Sequence, residues 1–218
     1  MKNKTLPNWL GLLGVVSFLS YLAAVVFSPS QYPGYDWKRQ AVSDLSAADS
    51  PALALWNQLS CLYGICGIVC IMVICIVVRG KFNKPLRMGI YLWAIMGWIG
   101  AIGYSLFPLS ERGDSGKAFQ DIMHVYVVTA AIVLLSIISL VLIMIGGYHK
   151  KSKVSLAITA TIALALMFIG AIGTGAAPKE YFGLFQRFSN VISANGFSMA
   201  LGIYLFIGQF DVGSTGTI

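Results

Sequence analysis

The chain has 218 residues, of which 57% are hydrophobic and only 11% charged, with a mean hydropathy of +0.78. A soluble domain carries about 25% charged residues, so these figures exclude an ordinary soluble enzyme, a disordered chain and a disulfide scaffold, and leave a polytopic membrane protein. The net charge of +7 would suggest nucleic acid in a soluble protein; here it is read first as a topology signal, because Lys and Arg collect on the cytoplasmic side of membranes.

A spanning helix needs roughly 20 mostly apolar residues, and six stretches qualify. The first, 9–27, follows Lys2 and Lys4. Its apolar run is longer than that of a secretory signal, and no small-residue cleavage site precedes Pro29, so it is expected to remain as a helix. A long outer loop follows at 28–53, reading Tyr32-Pro33-Gly34-Tyr35-Asp36-Trp37-Lys38-Arg39-Gln40-Ala41-Val42-Ser43-Asp44-Leu45-Ser46. Tyr32, Tyr35 and Trp37 suit the aromatic belt of a membrane interface, and Ser43-Asp44 suits a helix cap. The functional alternative is a lid, or a re-entrant segment, that places Arg39, Ser43 and Asp44 over a pocket.

The second span, 54–78, holds Cys61, Cys66, Cys70 and Cys75 in one apolar run. That placement implies neither a disulfide framework nor a zinc motif, and such thiols act as small hydrophobes. The third and fifth spans, 88–106 and 154–173, and the sixth, 188–208, carry no charge. The fourth, 119–146, differs: Asp121 and His124 lie near its start.

With the N-terminus inside, the inner segments total +8 and the outer loops −1. The excess positive charge is therefore an orientation signal, and no nucleic-acid partner is needed. Both termini are expected to be cytoplasmic, in a plasma membrane.

An internal repeat is visible. Ile99-Gly100-Ala101-Ile102-Gly103 recurs as Ile169-Gly170-Ala171-Ile172-Gly173, and each copy is followed by a proline, Pro108 and Pro178. The first span also ends near Pro29. The even-numbered spans open alike, at Trp56-Asn57-Gln58, Phe119-Gln120-Asp121 and Phe188-Ser189-Asn190. The expected fold is one all-α domain over 1–218, a six-helix transmembrane bundle built from three helical hairpins. Glycines three apart would let its helices approach closely.

Residues three apart share a helix face. Asn57 pairs in this way with Ser60, Asp121 with His124, and Asn190 with Ser193, all near the outer boundary. If the hairpins share a centre, these faces converge on a polar pocket open to the outside. An ionisable residue inside a span is costly and points to function. A carboxylate beside His124 would raise its basicity and fix its tautomer, whereas a helix-dipole partner is the structural explanation for Asp121. Two histidines, one of them His149, cannot build a three-histidine zinc site. No metal or cofactor is expected, and no P-loop, dinucleotide fingerprint or nucleophile elbow is present.

Six spans, a first outer loop ending in Ser43-Asp44-Leu45-Ser46, Phe107-Pro108 at the end of the third span and His124 early in the fourth resemble the bacterial family known as domain of unknown function 998. The Ser-Asp element and Pro51 are also similar, more distantly, to the membrane family of GPI-anchor remodelling factors and autophagy modulators. Family members often have glycine where this chain has Ser46. The resemblance implies an integral membrane protein connected with lipids.

Three functions follow as expectations. The first is binding or carrying a lipid or other amphiphile at the outer leaflet. In that reading Arg39, Lys179 and Arg187 meet an anionic headgroup, and Asp44, Asn57, Asp121, His124 and Asn190 complete the site. The second is a membrane-embedded lipid hydrolase or acyl transferase with Ser43 as nucleophile, His124 as base and Asp121 or Asp44 as orienter. The third is an accessory or sensor subunit; proton-coupled transport is a weaker variant, because only Asp121 and His124 titrate within a span.

Overall fold

The structure, a computed structural model, describes residues 4–111 and 118–210, and among them every regular element is helical. The chain enters through α1 (Leu6–Leu10), whose start is fixed by the Thr5 N–H donating to Asn8 Oδ1 at 2.9 Å, and continues into α2 (Leu12–Phe27). Pro29 opens a 3-10 turn at Ser28–Gln31. The outer loop makes one further 3-10 turn at Ser43–Leu45 before α3 (Leu53–Leu59) and α4 (Tyr63–Val78).

Gly80, at φ +74°, turns the chain back. Asn83 then caps α5 (Lys84–Leu106) by accepting the Leu86 N–H at 3.1 Å. The next three elements are α6 (Phe119–Ile122), a π-helical stretch at Met123–Thr129, and α7 (Ala130–Tyr148). The last three are α8 (Val154–Ala176), α9 (Phe182–Arg187) and α10 (Gly196–Phe206), with a second π-helical stretch, Phe188–Asn195, between α9 and α10.

Five helical runs are long and apolar enough to cross a membrane: Leu6–Gln31, Leu53–Val78, Lys84–Leu106, Phe119–Tyr148 and Lys151–Ala176. The sixth expected span, 188–208, lies in a helical run from Phe182 to Phe206 that is not among them. Gln186, Arg187, Ser189, Asn190, Ser193 and Asn195 dilute its apolar character. The openings that read alike in sequence share a property in space. Each even-numbered expected span is interrupted near the end that carries the loop 28–53, at 60–62 between α3 and α4 and at the two π-helical stretches. Such irregularities in helices concentrate at functional sites.

Small residues decide the packing, as expected where lipid competes with every apolar contact. A Cβ on Gly89 would sit 2.7 Å from Ile143 Cγ1, and Ser139 Oγ donates to the Gly89 carbonyl at 2.6 Å, so α5 and α7 meet backbone to backbone. Gly14 and Gly202 bring α2 against α10 in the same way. The core centres on Trp93 and Phe197, edge to face at 4.9 Å, and the Trp93 indole N–H donates to Ser198 Oγ at 3.0 Å.

One end of the bundle is basic and sealed. Asn83 Nδ2 donates to the Gly146 carbonyl at 2.7 Å, the buried Lys153 ammonium donates to the Gln209 carbonyl, and Phe210 lies fully buried against Phe82. At the opposite end α3 packs on α2 and the turn at Ser28–Gln31, α5 packs on Met123–Thr129, and α8 packs on α9 and Phe188–Asn195.

Candidate outer-loop site

The loop 28–53, expected on the outer side, is tied down by a residue distant in sequence. Arg187 ends α9, and its Nη1 donates to the carbonyls of Trp37 (2.7 Å), Gln40 (3.1 Å) and Gly183 (2.7 Å). Its Nη2 donates to the Tyr35 hydroxyl at 2.7 Å. Two more bonds complete the seat: the Leu184 N–H donates to the Lys38 carbonyl (2.9 Å) and the Val42 N–H to Gln186 Oε1 (2.8 Å). Gly183 is required there, because a Cβ would strike the Gln40 and Trp37 carbonyls. Burial pushes the Tyr35 phenol above its ordinary pKa, with the Arg187 guanidinium acting in the other direction.

Below this seat, Val42 inserts into a small cluster with Tyr21, Val25 and Val191, flanked by Leu22 and Trp56. Beside the cluster lies an open apolar groove of about 270 Å³. Leu22 and Val25 of α2 form one wall, and Leu184, Phe188, Val191 and Ile192 form the other. Trp37 and Arg187 complete its lining. The loop then reaches the other side of the bundle, where the Ala48 N–H donates to the Leu109 carbonyl at 2.9 Å. It therefore lies across this end of the bundle from α9 to the segment after α5.

Asp121 and His124 hold that second anchor. Asp121 is 1% exposed; its Oδ1 accepts the Ser110 N–H at 2.8 Å and its Oδ2 the Ser110 hydroxyl at 2.5 Å. His124 Nδ1 lies 2.7 Å from the Phe107 carbonyl. A carbonyl only accepts, so the proton sits on Nδ1 and a neutral ring keeps its lone pair on Nε2. The two residues that share a helix face thus bind successive parts of the segment 107–110.

A further network was absent from the sequence expectations. Tyr104 stacks on His124 at 4.6 Å, and its hydroxyl lies 3.0 Å from Thr129 Oγ1. Tyr21 and Tyr63 stack at 4.6 Å. The Tyr21 hydroxyl sits against Asn190 and the Tyr63 hydroxyl against Asn195. Asn195 Nδ2 in turn donates to the Asn190 carbonyl and to Asn190 Oδ1, both at 3.0 Å. Asn190 to Asn195 is a five-residue step, as is the bond from Thr129 Oγ1 to the His124 carbonyl at 2.7 Å. Both steps run within the π-helical stretches, and a search at α-helical spacing passes over them.

The remaining expected site residues fall as follows. Asp44 is buried, and its Oδ2 accepts the Ala41 N–H at 3.1 Å, so it braces the loop from within. The Ser43 carbonyl accepts from both the Ser46 N–H (3.0 Å) and hydroxyl (3.1 Å). Arg39 lies on the exposed side of the loop, and Asn57 is exposed on α3. Ser60 bonds back to the Trp56 carbonyl at 2.8 Å, and Ser193 to the Ala163 carbonyl at 2.6 Å, so neither pairs with the asparagine three residues before it. Among the described residues no group of three or more metal-ligating side chains occurs.

Long apolar helices, small-residue packing and a polar network at one end define a multi-pass integral membrane protein. The chain belongs to the family described as Protein of unknown function (DUF998), which matches residues 15–203. No curated protein and no solved structure matches it.

Proposed function

We propose that this protein binds an amphiphile at its outer end, with the alkyl chain in the groove between α2 and α9 and the headgroup beneath the loop. The groove itself carries this reading: six apolar side chains, the Trp37 ring and Arg187 line a wall that is apolar throughout, while the loop above it supplies polar groups at its rim. That is the pattern of a site for a molecule with one apolar and one polar part. The loop serves as a lid seated by Arg187 and Val42.

The same reading takes the run Phe182–Phe206 as a sixth crossing, which completes three hairpins and returns the chain to the side it started from. Lys4 lies over the Phe206 ring at 3.0 Å, and the basic turns at 79–87 and 150–153 gather at that end. By the distribution of Lys and Arg this end is cytoplasmic, in a plasma membrane.

The test is lipid retention. Protein purified in detergent and examined by native mass spectrometry is expected to keep one amphiphile per chain, and Val191→Trp, which fills the groove, to lose it. A lipid content that mirrors the bulk membrane in both proteins would reject the proposal.

A further inference from the structure

We infer that the amphiphile's headgroup is a phosphate or a compact anion of that type, and that it sits at the rim of the groove, met by the Arg187 guanidinium and the Lys38 ammonium. This rests on the amphiphile reading above and adds the chemical class of the ligand.

The groove fixes where a headgroup can sit. Its wall is apolar throughout, so Arg187 contributes its aliphatic stem to the lining, and the guanidinium stands at the edge among the loop carbonyls. Trp37, on the same lining, leads to Lys38, whose ammonium lies 5.8 Å from the centre of the Trp37 ring. The Lys38 carbonyl accepts the N–H of Leu184, another lining residue, at 2.9 Å. A chain in the groove therefore brings its polar end to these two cations.

Both cations have charge to offer. A guanidinium carries five N–H donors. The pair on Nη1 serves three carbonyls and one on Nη2 serves Tyr35, which leaves the second Nη2 donor and the Nε–H. All four acceptors are neutral, and among the described residues no acid lines the groove. Lys38 is exposed, and the hydrogen bonds that seat it belong to its backbone. Exposed Arg39 follows it, and Lys179, with Glu180 beside it, opens the turn that leads into α9. The acids of the loop stand otherwise engaged or further off. Asp36 Oδ1 accepts the Lys38 N–H at 2.9 Å, Asp44 is buried against Ala41, and Asp49 follows Ala48 at the second anchor.

This set decides between headgroup classes. A phosphate accepts on its oxygens, and guanidinium donors match its geometry as well as its charge. A polyol can take the same N–H donors but gains nothing from two positive charges. A quaternary ammonium is repelled by both and gives their donors no acceptor.

The experiment compares three radiolabelled probes with the same alkyl chain, dodecyl phosphate, dodecyl β-glucoside and dodecyltrimethylammonium, on protein in nanodiscs of zwitterionic lipid. The phosphate is expected to bind about tenfold or more tighter than the other two, an advantage that shrinks in about 1 M salt, where screening acts over roughly 3 Å. Lys38→Gln is expected to weaken the phosphate about fivefold, the effect of one lysine on an anion at a membrane surface, and the glucoside much less. Equal binding of the three, a preference for the glucoside or the ammonium, or phosphate binding indifferent to Lys38→Gln overturns the headgroup assignment; if Val191→Trp still abolishes binding, the amphiphile reading survives it. Inorganic phosphate is expected to compete poorly; if it displaces the probe fully and Val191→Trp binds as the parent does, the site is one for a free anion and the amphiphile reading fails. If no probe binds saturably, the amphiphile reading fails as well.

Discussion

Arg187 and Tyr35 are 152 positions apart in the chain, and the guanidinium Nη2 donates to the phenol oxygen at 2.7 Å. That bond, with the Trp37 and Gln40 carbonyls on Nη1, makes one side chain a fastener of residues 35–40 of the loop. Arg187→Ala leaves those acceptors without their donor, at a cost of about 1–3 kcal/mol. The loop is then expected to be cut by trypsin at Lys38 and Arg39 several-fold faster than in the parent, in proteoliposomes of known orientation. Equal cleavage rates would show that Arg187 does not hold it.

Tyr35 makes the seat sensitive to alkali. Its folded pKa is raised by burial, so the seated loop keeps its proton where a released one loses it. Below the ordinary tyrosine value, about 10, both states are protonated and pH has no effect. As pH climbs past that value the released state gains, and the seat weakens. Trypsin cleavage of the loop, corrected for the enzyme's own pH response, is expected to accelerate between pH 9 and 11 in the parent and to stay flat in Tyr35→Phe.

Asp121 is a fastener of the second anchor. Asp121→Leu deprives the Ser110 N–H and hydroxyl of their acceptors and is expected to cost about 1–3 kcal/mol, seen as a lower Tm in detergent. Asp121→Asn keeps one acceptor oxygen and is expected to lose less than half as much. A greater loss in the asparagine variant would assign Asp121 a role in charge rather than in anchoring.

Two glycine substitutions separate packing from helix propensity. Gly89→Ala places a methyl 2.7 Å from Ile143 and 2.8 Å from the Ser139 carbonyl, an overpacking expected to cost about 1–3 kcal/mol. Gly64→Ala meets nothing within 4 Å and is expected to leave Tm unchanged or raise it slightly, since alanine is the better helix former.

Hydropathy made most of the fold legible because each apolar run of spanning length reports its own burial. The last run was harder: Arg187, Asn190 and Asn195 sit in a helical stretch, and their partners are invisible to a local window. Asp121 and His124 were recognisable as unusual, but their acceptance of Ser110 and bonding to Phe107 depend on how the chain turns after Pro108. Arg187 stood out as a cation suited to a headgroup; only the fold reveals that loop carbonyls take its Nη1 donors. Nothing in a local window sets Tyr21, Tyr63 and Tyr104 apart from other aromatics of an apolar run. Asn195 escaped because a five-residue step exists only where a helix widens to π geometry.

Photolabelling offers the most direct test of amphiphile binding. A dodecyl phosphate carrying a diazirine near the end of its chain would be activated on protein in nanodiscs, and the modified residues mapped by mass spectrometry. If the chain occupies the groove, label concentrates on Leu22, Val25, Val191 and Ile192 and disappears from them when unlabelled probe is in excess. Label spread evenly over lipid-facing residues such as Ile76, Ile145 and Ile162, with no competition, would contradict it.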